Sequence, residues 1–192
     1  MVTVFTHYIS ACWLVFVVYW IISAQSAKRR DREKSRRRGF LVRLLLLIGA
    51  FQLYRVPVFH RLFQDIYPGG AAAHPAIGVL GVILCATGIA FAIWARRHLG
   101  RNWGMPMSMQ EGHELVTSGP YTRVRHPIYT GMLLAMMGSM LAEGAWWLPT
   151  ILVFFAYFVY SAKTEEKLML RQFPDVYPAY MARTKMLVPL VW

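Results

Sequence analysis

The sequence predicts an all-α, polytopic membrane protein with five transmembrane helices, and three observations carry that prediction. The chain of 192 residues is 57% hydrophobic and only 16% charged, with a mean hydropathy of +0.39. A soluble domain of this length does not need so much apolar surface. Long uncharged runs recur along the chain, several of them near the 20 residues that cross a bilayer. The basic residues fall between those runs: of 21 Lys and Arg, 8 lie in 28–38, 5 in 96–125 and 5 in 163–185. The net charge of +12 therefore reads as positive-inside topology and not as a nucleic-acid surface.

Residues 2–27 carry no charge, and their core, 8–24, is the first span. A signal peptide would place its positive charge before the apolar run; here Lys28-Arg29-Arg30 follows it, which marks an anchor with its N-terminus outside. The arginine-rich segment 28–38 is a cytoplasmic topology signal that can also touch anionic lipid. The second span is 40–59, with Arg43 and Arg55 near its ends where they can snorkel. An outside loop with Pro68-Gly69-Gly70 leads to the third span, 76–95. Span four, 128–142, is short, and Glu143-Gly144 leaves room only for a tight hairpin into span five, 144–162. The tail is mixed polar and contains an amphipathic segment, 165–173, that stops at Pro174.

Five spans starting outside bring the 28–38 loop, the 96–127 loop and the tail to the cytoplasmic side. That places 18 basic residues inside, with Arg61 the clear outside exception. The chain reads as one domain, 1–192, in a bacterial inner membrane, with its candidate functional region at 96–192.

Cys12 and Cys85 both fall within apolar runs and read as small buried hydrophobes. Neither cysteine nor histidine shows metal-ligand spacing, so no metal is expected. No phosphate-binding glycine loop, dinucleotide fingerprint or nucleophile elbow occurs.

The segment Gly119-Pro120-Tyr121-Thr122-Arg123-Val124-Arg125-His126-Pro127-Ile128-Tyr129-Thr130-Gly131 is the chemical centre of the sequence. Polar groups at the edge of a span are costly to desolvate, and such a cluster marks a functional site by default. Pro127 suits the first turn of a helix, because its missing N–H needs no partner there. The free amides of that helix start, with Arg125 beside them, suit a carboxylate or phosphate. The plainer alternative is an interfacial belt, with Tyr121 and Tyr129 as anchors and the arginines facing headgroups. Glu165 and Glu166 read as the start of a helix just beyond the membrane, where acids are favourably placed. Functionally, a carboxylate there can meet an ammonium group or sugar hydroxyls.

Taken together, these residues resemble the isoprenylcysteine carboxyl methyltransferase family of integral membrane enzymes. The matching pieces are His113-Glu114-Leu115-Val116-Thr117-Ser118-Gly119-Pro120-Tyr121, Arg125-His126-Pro127-Ile128-Tyr129-Thr130-Gly131, Glu165-Glu166, and Phe173-Pro174-Asp175-Val176-Tyr177-Pro178-Ala179-Tyr180. They cover most of 103–189. The resemblance implies S-adenosylmethionine as methyl donor, in a pocket formed by the 96–127 loop, the start of span four and the C-terminal helix. It implies a cofactor set of His113, Glu114, Leu115, Val116, Tyr121, His126, Pro127, Ile128, Tyr129 and Glu165, with Arg125 and Glu165 in catalytic roles. The implied acceptor is lipophilic, foremost the C-terminal carboxylate of a prenylcysteine-like substrate. Methyl transfer to a carboxylate or thiolate is an in-line displacement that needs alignment and water exclusion more than an acid–base pair.

One departure concerns the acceptor. Family members acting on prenylcysteine carry an arginine four residues before the glutamate matched by Glu165; here Ser161 stands there and Lys163 can replace the cation from a different helix face, so Ser161 and Lys163 are the expected acceptor-binding residues. Phe173-Pro174 also replaces a usual Phe-Gly. A thiol, an amine or a lipid headgroup therefore stays open as acceptor. Two other function classes remain beside the methyltransferase. A sterol-type reductase would bind NADPH, and a non-enzymatic accessory protein would hold a lipid headgroup without responding to S-adenosylmethionine.

Overall fold

A computed structural model describes residues 2–25, 74–100 and 114–188. The second span (40–59), the 28–38 segment and the loop around residue 65 lie outside the described residues, as does His113. The described chain is helical: α1 is Val2–Gln25, α2 Pro75–Leu99, α3 Pro127–Glu143, α4 Leu148–Gln172 and α5 Tyr177–Arg183. Short 3-10 turns at Gly119–Thr122 and Ala145–Trp147 precede α3 and α4.

α1, α2 and the stretch Ala145–Gln172 are long and apolar enough to cross a membrane. Helix is the form such segments take in lipid, because every backbone N–H and C=O is then bonded within the segment. The expected spans 8–24 and 76–95 fall inside α1 and α2. Span four forms as a helix, but α3 has 17 residues, about 25 Å of rise against a hydrocarbon core of about 30 Å. It is not one of the three helices of spanning length.

The fifth expected span needs a boundary correction. α4 runs without a break through Lys163-Thr164-Glu165-Glu166 to Gln172, so the amphipathic segment 165–173 is its continuation and not a separate helix. Glu165 and Glu166 accordingly lie in the last third of α4, not at a helix start. Hydropathy falls at Lys163, but Lys, Glu and Leu are all good helix formers, so the helix carries on.

Boundaries follow local chemistry. Pro75 and Pro127 sit in the first turns of α2 and α3, where a missing N–H costs nothing. Gly144, at φ 115°, ends α3 and donates its N–H to Met140 O; the tight hairpin expected at Glu143-Gly144 is what forms.

α2 and α3 are antiparallel and in backbone contact. Gly81 and Gly88 on α2 face Gly138 and Gly131 on α3, each pair seven residues apart. A Cβ on Gly88 would lie 2.5 Å from Ala135 N and Gly131 O, and one on Gly81 2.6 Å from Ala142 N and Gly138 O. Small residues let membrane helices approach this closely, where dispersion and not hydrophobicity drives association. α1 packs on the pair through Ile9, Phe16 and Trp13, and Trp13 Nε1 donates to Ser139 Oγ at 3.0 Å.

Arg96 fixes the direction of α1. Its Nη2 donates to Ser23 O at 2.8 Å and its Nη1 to Gly100 O at 2.9 Å, joining the C-terminal ends of α1 and α2. The two helices therefore run parallel, α3 runs back, and α4 returns. One end of the bundle thus gathers the C-terminal ends of α1 and α2, the start of α3 and the last turns of α4.

Candidate active site

The start of α3 is held from outside its own helix. The tail after α5 runs beside residues 123–126, with a parallel bridge between Val124 and Lys185. Arg125 N donates to Lys185 O at 2.8 Å and His126 N to Met186 O at 3.1 Å, while Thr130 Oγ1 donates to Leu187 O at 2.6 Å. Met186 and Leu187 are buried against Tyr129, Phe158 and Ala162. One of the amides expected to be free for an anion, that of the N-cap His126, is therefore already bonded to the tail.

Arg125 spends its guanidinium inside the protein. Nε meets Glu166 Oε1 at 2.6 Å, and Nη1 donates to Thr184 O at 2.6 Å and Met181 O at 3.2 Å. Both side chains of the ion pair are 10% exposed. The anion beside Arg125 in this structure is thus Glu166, and the arginine ties α3, α4 and the tail together. A lysine cannot span these acceptors with one compact ammonium group. Removing one partner of a buried pair strands the other charge, so Arg125→Ala is expected to cost about 3 kcal/mol of stability, read by thermal unfolding in detergent.

His126 lies between both acids. Nδ1 is 3.5 Å from Glu165 Oε2 and Nε2 is 3.4 Å from Glu166 Oε1. The second contact has ion-pair distance but not hydrogen-bond geometry, so Nε2 is a buried polar atom without a hydrogen bond. Burial opposes protonation of the ring, yet the two carboxylates outweigh it and raise its pKa above the ordinary histidine value. A raised folded pKa means that the stabilisation is complete below about pH 6.5 and is lost as pH rises through the elevated value. Tm in detergent is expected to fall over that upward window, and His126→Gln to flatten the profile.

Glu165 is the most elaborately held acid. Its Oε1 accepts from Tyr129 Oη at 2.6 Å and from Ser161 Oγ at 3.0 Å, and those two hydroxyls lie 3.0 Å apart. Its side chain keeps 25% exposure, whereas Glu166 keeps 10%. Tyr129 is sandwiched between His126, with ring centroids 5.6 Å apart, and Phe158 at 4.6 Å. Both its faces are covered, so what Tyr129 offers the site is its hydroxyl.

The other expected residues spread out. Pro127 is buried in the first turn of α3 and Ile128 is half-buried beside it. Tyr121 is buried on the 3-10 turn, where its carbonyl accepts from Tyr180 Oη at 2.7 Å and its ring stacks on His98. Burial raises the Tyr121 phenol pKa, and that of Tyr180 to about 12, so both stay neutral. Leu115 and Val116 are half-buried in the segment leading to this turn, and Glu114 is exposed. Of the two expected acceptor residues, Ser161 is fully buried against Glu165, and Lys163 is exposed on another face of α4. The motifs did not point to Glu166, Phe158, Thr184, Met186 or Leu187 as site residues. Glu166 had a signal, as the second acid of the Glu-Glu pair; the tail acts through backbone carbonyls and had none.

Comparisons with known proteins bear on this arrangement. The sequence model of the family described as phospholipid methyltransferase matches residues 76–176, just over half of the chain. Among curated proteins, a nickel-cobalt-cadmium resistance protein, NccN, of Alcaligenes xylosoxydans xylosoxydans is 29% identical over 121 residues, covering 62% of this chain and 51% of that protein. A cobalt-zinc-cadmium resistance protein, CzcN, of Cupriavidus metallidurans is 29% identical over 115 residues, covering 59% and 48%. The chain spans about half the length of these curated relatives. A solved eukaryotic intramembrane Ras methyltransferase, ICMT (isoprenylcysteine carboxyl methyltransferase), superposes with a TM-score of 0.59 at 21% identity, covering 77% of this chain and 52% of that one. At that identity the likeness is one of fold. The motif resemblance thus reached the right membrane-methyltransferase fold, while the family match carries a broader description than carboxyl methylation. The chain belongs to the phospholipid methyltransferase family of membrane methyltransferases, with residues 76–176 as the shared domain.

Proposed function

We propose that this chain is an S-adenosylmethionine-dependent methyltransferase whose lipophilic acceptor enters from the bilayer. The observation that carries the reading is Glu165: a carboxylate aligned by Tyr129, Ser161 and His126, yet partly open, at the end of the bundle where α3 and α4 meet. The residues fit the methyl donor. Glu165 suits its ammonium or ribose hydroxyls, and the half-buried Leu115, Val116 and Ile128 suit its apolar parts. S-adenosylmethionine supplies an electrophilic methyl group on a sulfonium. The protein's part is to orient both partners and exclude water. Arg125 acts here as a positioning residue, bracing the glutamate-bearing stretch of α4 and the tail against the start of α3.

The topology belongs to the same proposal: five spans, N-terminus outside and site on the cytoplasmic side of a bacterial inner membrane.

Ser161 bears on the acceptor. Its hydroxyl is committed to Glu165 and Tyr129, and the nearby cations Arg125 and His126 are paired with acids. At position 161 the chain thus offers a hydroxyl, already spent on Glu165, where a prenylcysteine acceptor would need a cation. This favours an amine, a thiol or a lipid headgroup carrying one over a carboxylate acceptor. A radiolabelled methyl-transfer screen over prenylcysteine analogues, thiols and lipid extracts tests both points. A base-stable labelled product is expected. Label released by mild base would identify a carboxyl ester and overturn the acceptor reading, and no transfer to any acceptor would count against the enzyme.

A further inference from the structure

The exposed side of α4 changes chemistry partway along the helix. Leu152, Phe155 and Tyr160 are exposed in its first half, followed by Lys163, Lys167 and Arg171, with Leu170 the one large apolar side chain exposed among the cations. The three cations are spaced i, i+4 and i+8, which stacks them on one helix face. The acids of α4 do not neutralise them: Glu165 and Glu166 turn to the other side, to Tyr129, Ser161 and Arg125. Among the described residues the exposed acids are Glu114 and Asp175, both off this helix.

We propose that Lys163, Lys167 and Arg171 form a docking face for anionic phospholipid headgroups of the leaflet at the site end. The switch between Tyr160 and Lys163 puts the hydrocarbon boundary there, with an aromatic anchor on its apolar side. Three cations over eight residues rise about 12 Å along the axis. A headgroup layer of about 5–8 Å and a Debye length of about 8 Å together span that distance. The lysine stems can lie along the apolar edge while their ammonium groups reach phosphate. Ser161 and Glu165 occupy the opposite face of the same turns, so lipid docking on the cationic face sets the depth at which the site opens. This inference does not depend on methyl transfer, and its test does not read methylation.

The test is spin-label electron paramagnetic resonance on the full chain reconstituted in mixed phosphatidylglycerol and phosphatidylcholine vesicles. The association of spin-labelled phosphatidylglycerol is measured relative to spin-labelled phosphatidylcholine. The wild type is expected to prefer phosphatidylglycerol, and the preference to weaken with salt. K163Q/K167Q/R171Q is expected to lower phosphatidylglycerol association at least fivefold, equivalent to about 1 kcal/mol, the scale for even one surface cation. Phosphatidylcholine association should be unchanged. The charge-conserving K163R/K167R/R171K variant is expected to keep the preference. No preference in the wild type, an undiminished one in the glutamine variant, or its loss in the charge-conserving variant would overturn the proposal.

Discussion

Gly88→Leu is expected to leave little folded protein. Even a single Cβ at this position would press on Ala135 N and Gly131 O, and these are backbone atoms that no rotamer change can move. α2 and α3 would have to separate, losing contact along the whole Gly81, Gly88, Gly131 and Gly138 seam. Overpacking a close-packed interior costs roughly 1–3 kcal/mol and occasionally more. With backbone on the receiving side, the upper end or beyond, about 3 kcal/mol or more, is expected. Thermal unfolding in detergent, followed by circular dichroism, reads it, and a wild-type Tm in Gly88→Leu would show that the seam is not the packing centre. Leu134→Ala, on the partner helix α3 at a half-buried position that is not one of the seam glycines, should cost much less.

Glu165→Ala is expected to weaken ligand binding about a hundredfold while leaving more of the fold intact. The glutamate collects a phenol, a serine hydroxyl and an imidazole, and it is the more exposed of the two acids. Loss of a charge-assisted contact to a ligand ammonium, with Tyr129 and Ser161 left to rearrange, is worth about 3 kcal/mol, or a hundredfold in affinity. Tyr129→Phe removes one orienting hydrogen bond and should cost about fivefold, near 1 kcal/mol. A Glu165→Ala variant that binds S-adenosylmethionine as tightly as wild type would move the cofactor site elsewhere.

The site was legible in the sequence where side-chain chemistry defines it. Arg125, His126, Pro127, Tyr129 and Glu165 announce themselves as polar groups at the edges of apolar runs, and the structure gathers all five within one cluster. Hydropathy reads the membrane, however, and not the helix, which is why α4 was expected to stop near 162 although it continues to Gln172. The glycines of α2 and α3 were visible but carry no signal of partner until the two helices are laid antiparallel. The tail was the hardest element to foresee. Lys185, Met186 and Leu187 support the site through carbonyl oxygens that every residue possesses, so only the chain's path reveals them. The pairing of Arg125 with Glu166 and of His126 with both acids likewise depends on how α4 is rotated against α3.

Titration of purified, detergent-solubilised protein with S-adenosylmethionine by isothermal calorimetry tests the central claim most directly. Saturable binding by the wild type, strongly weakened in His126→Ala and Glu165→Ala, is the expected result. Folded wild-type protein that takes up no S-adenosylmethionine would contradict it.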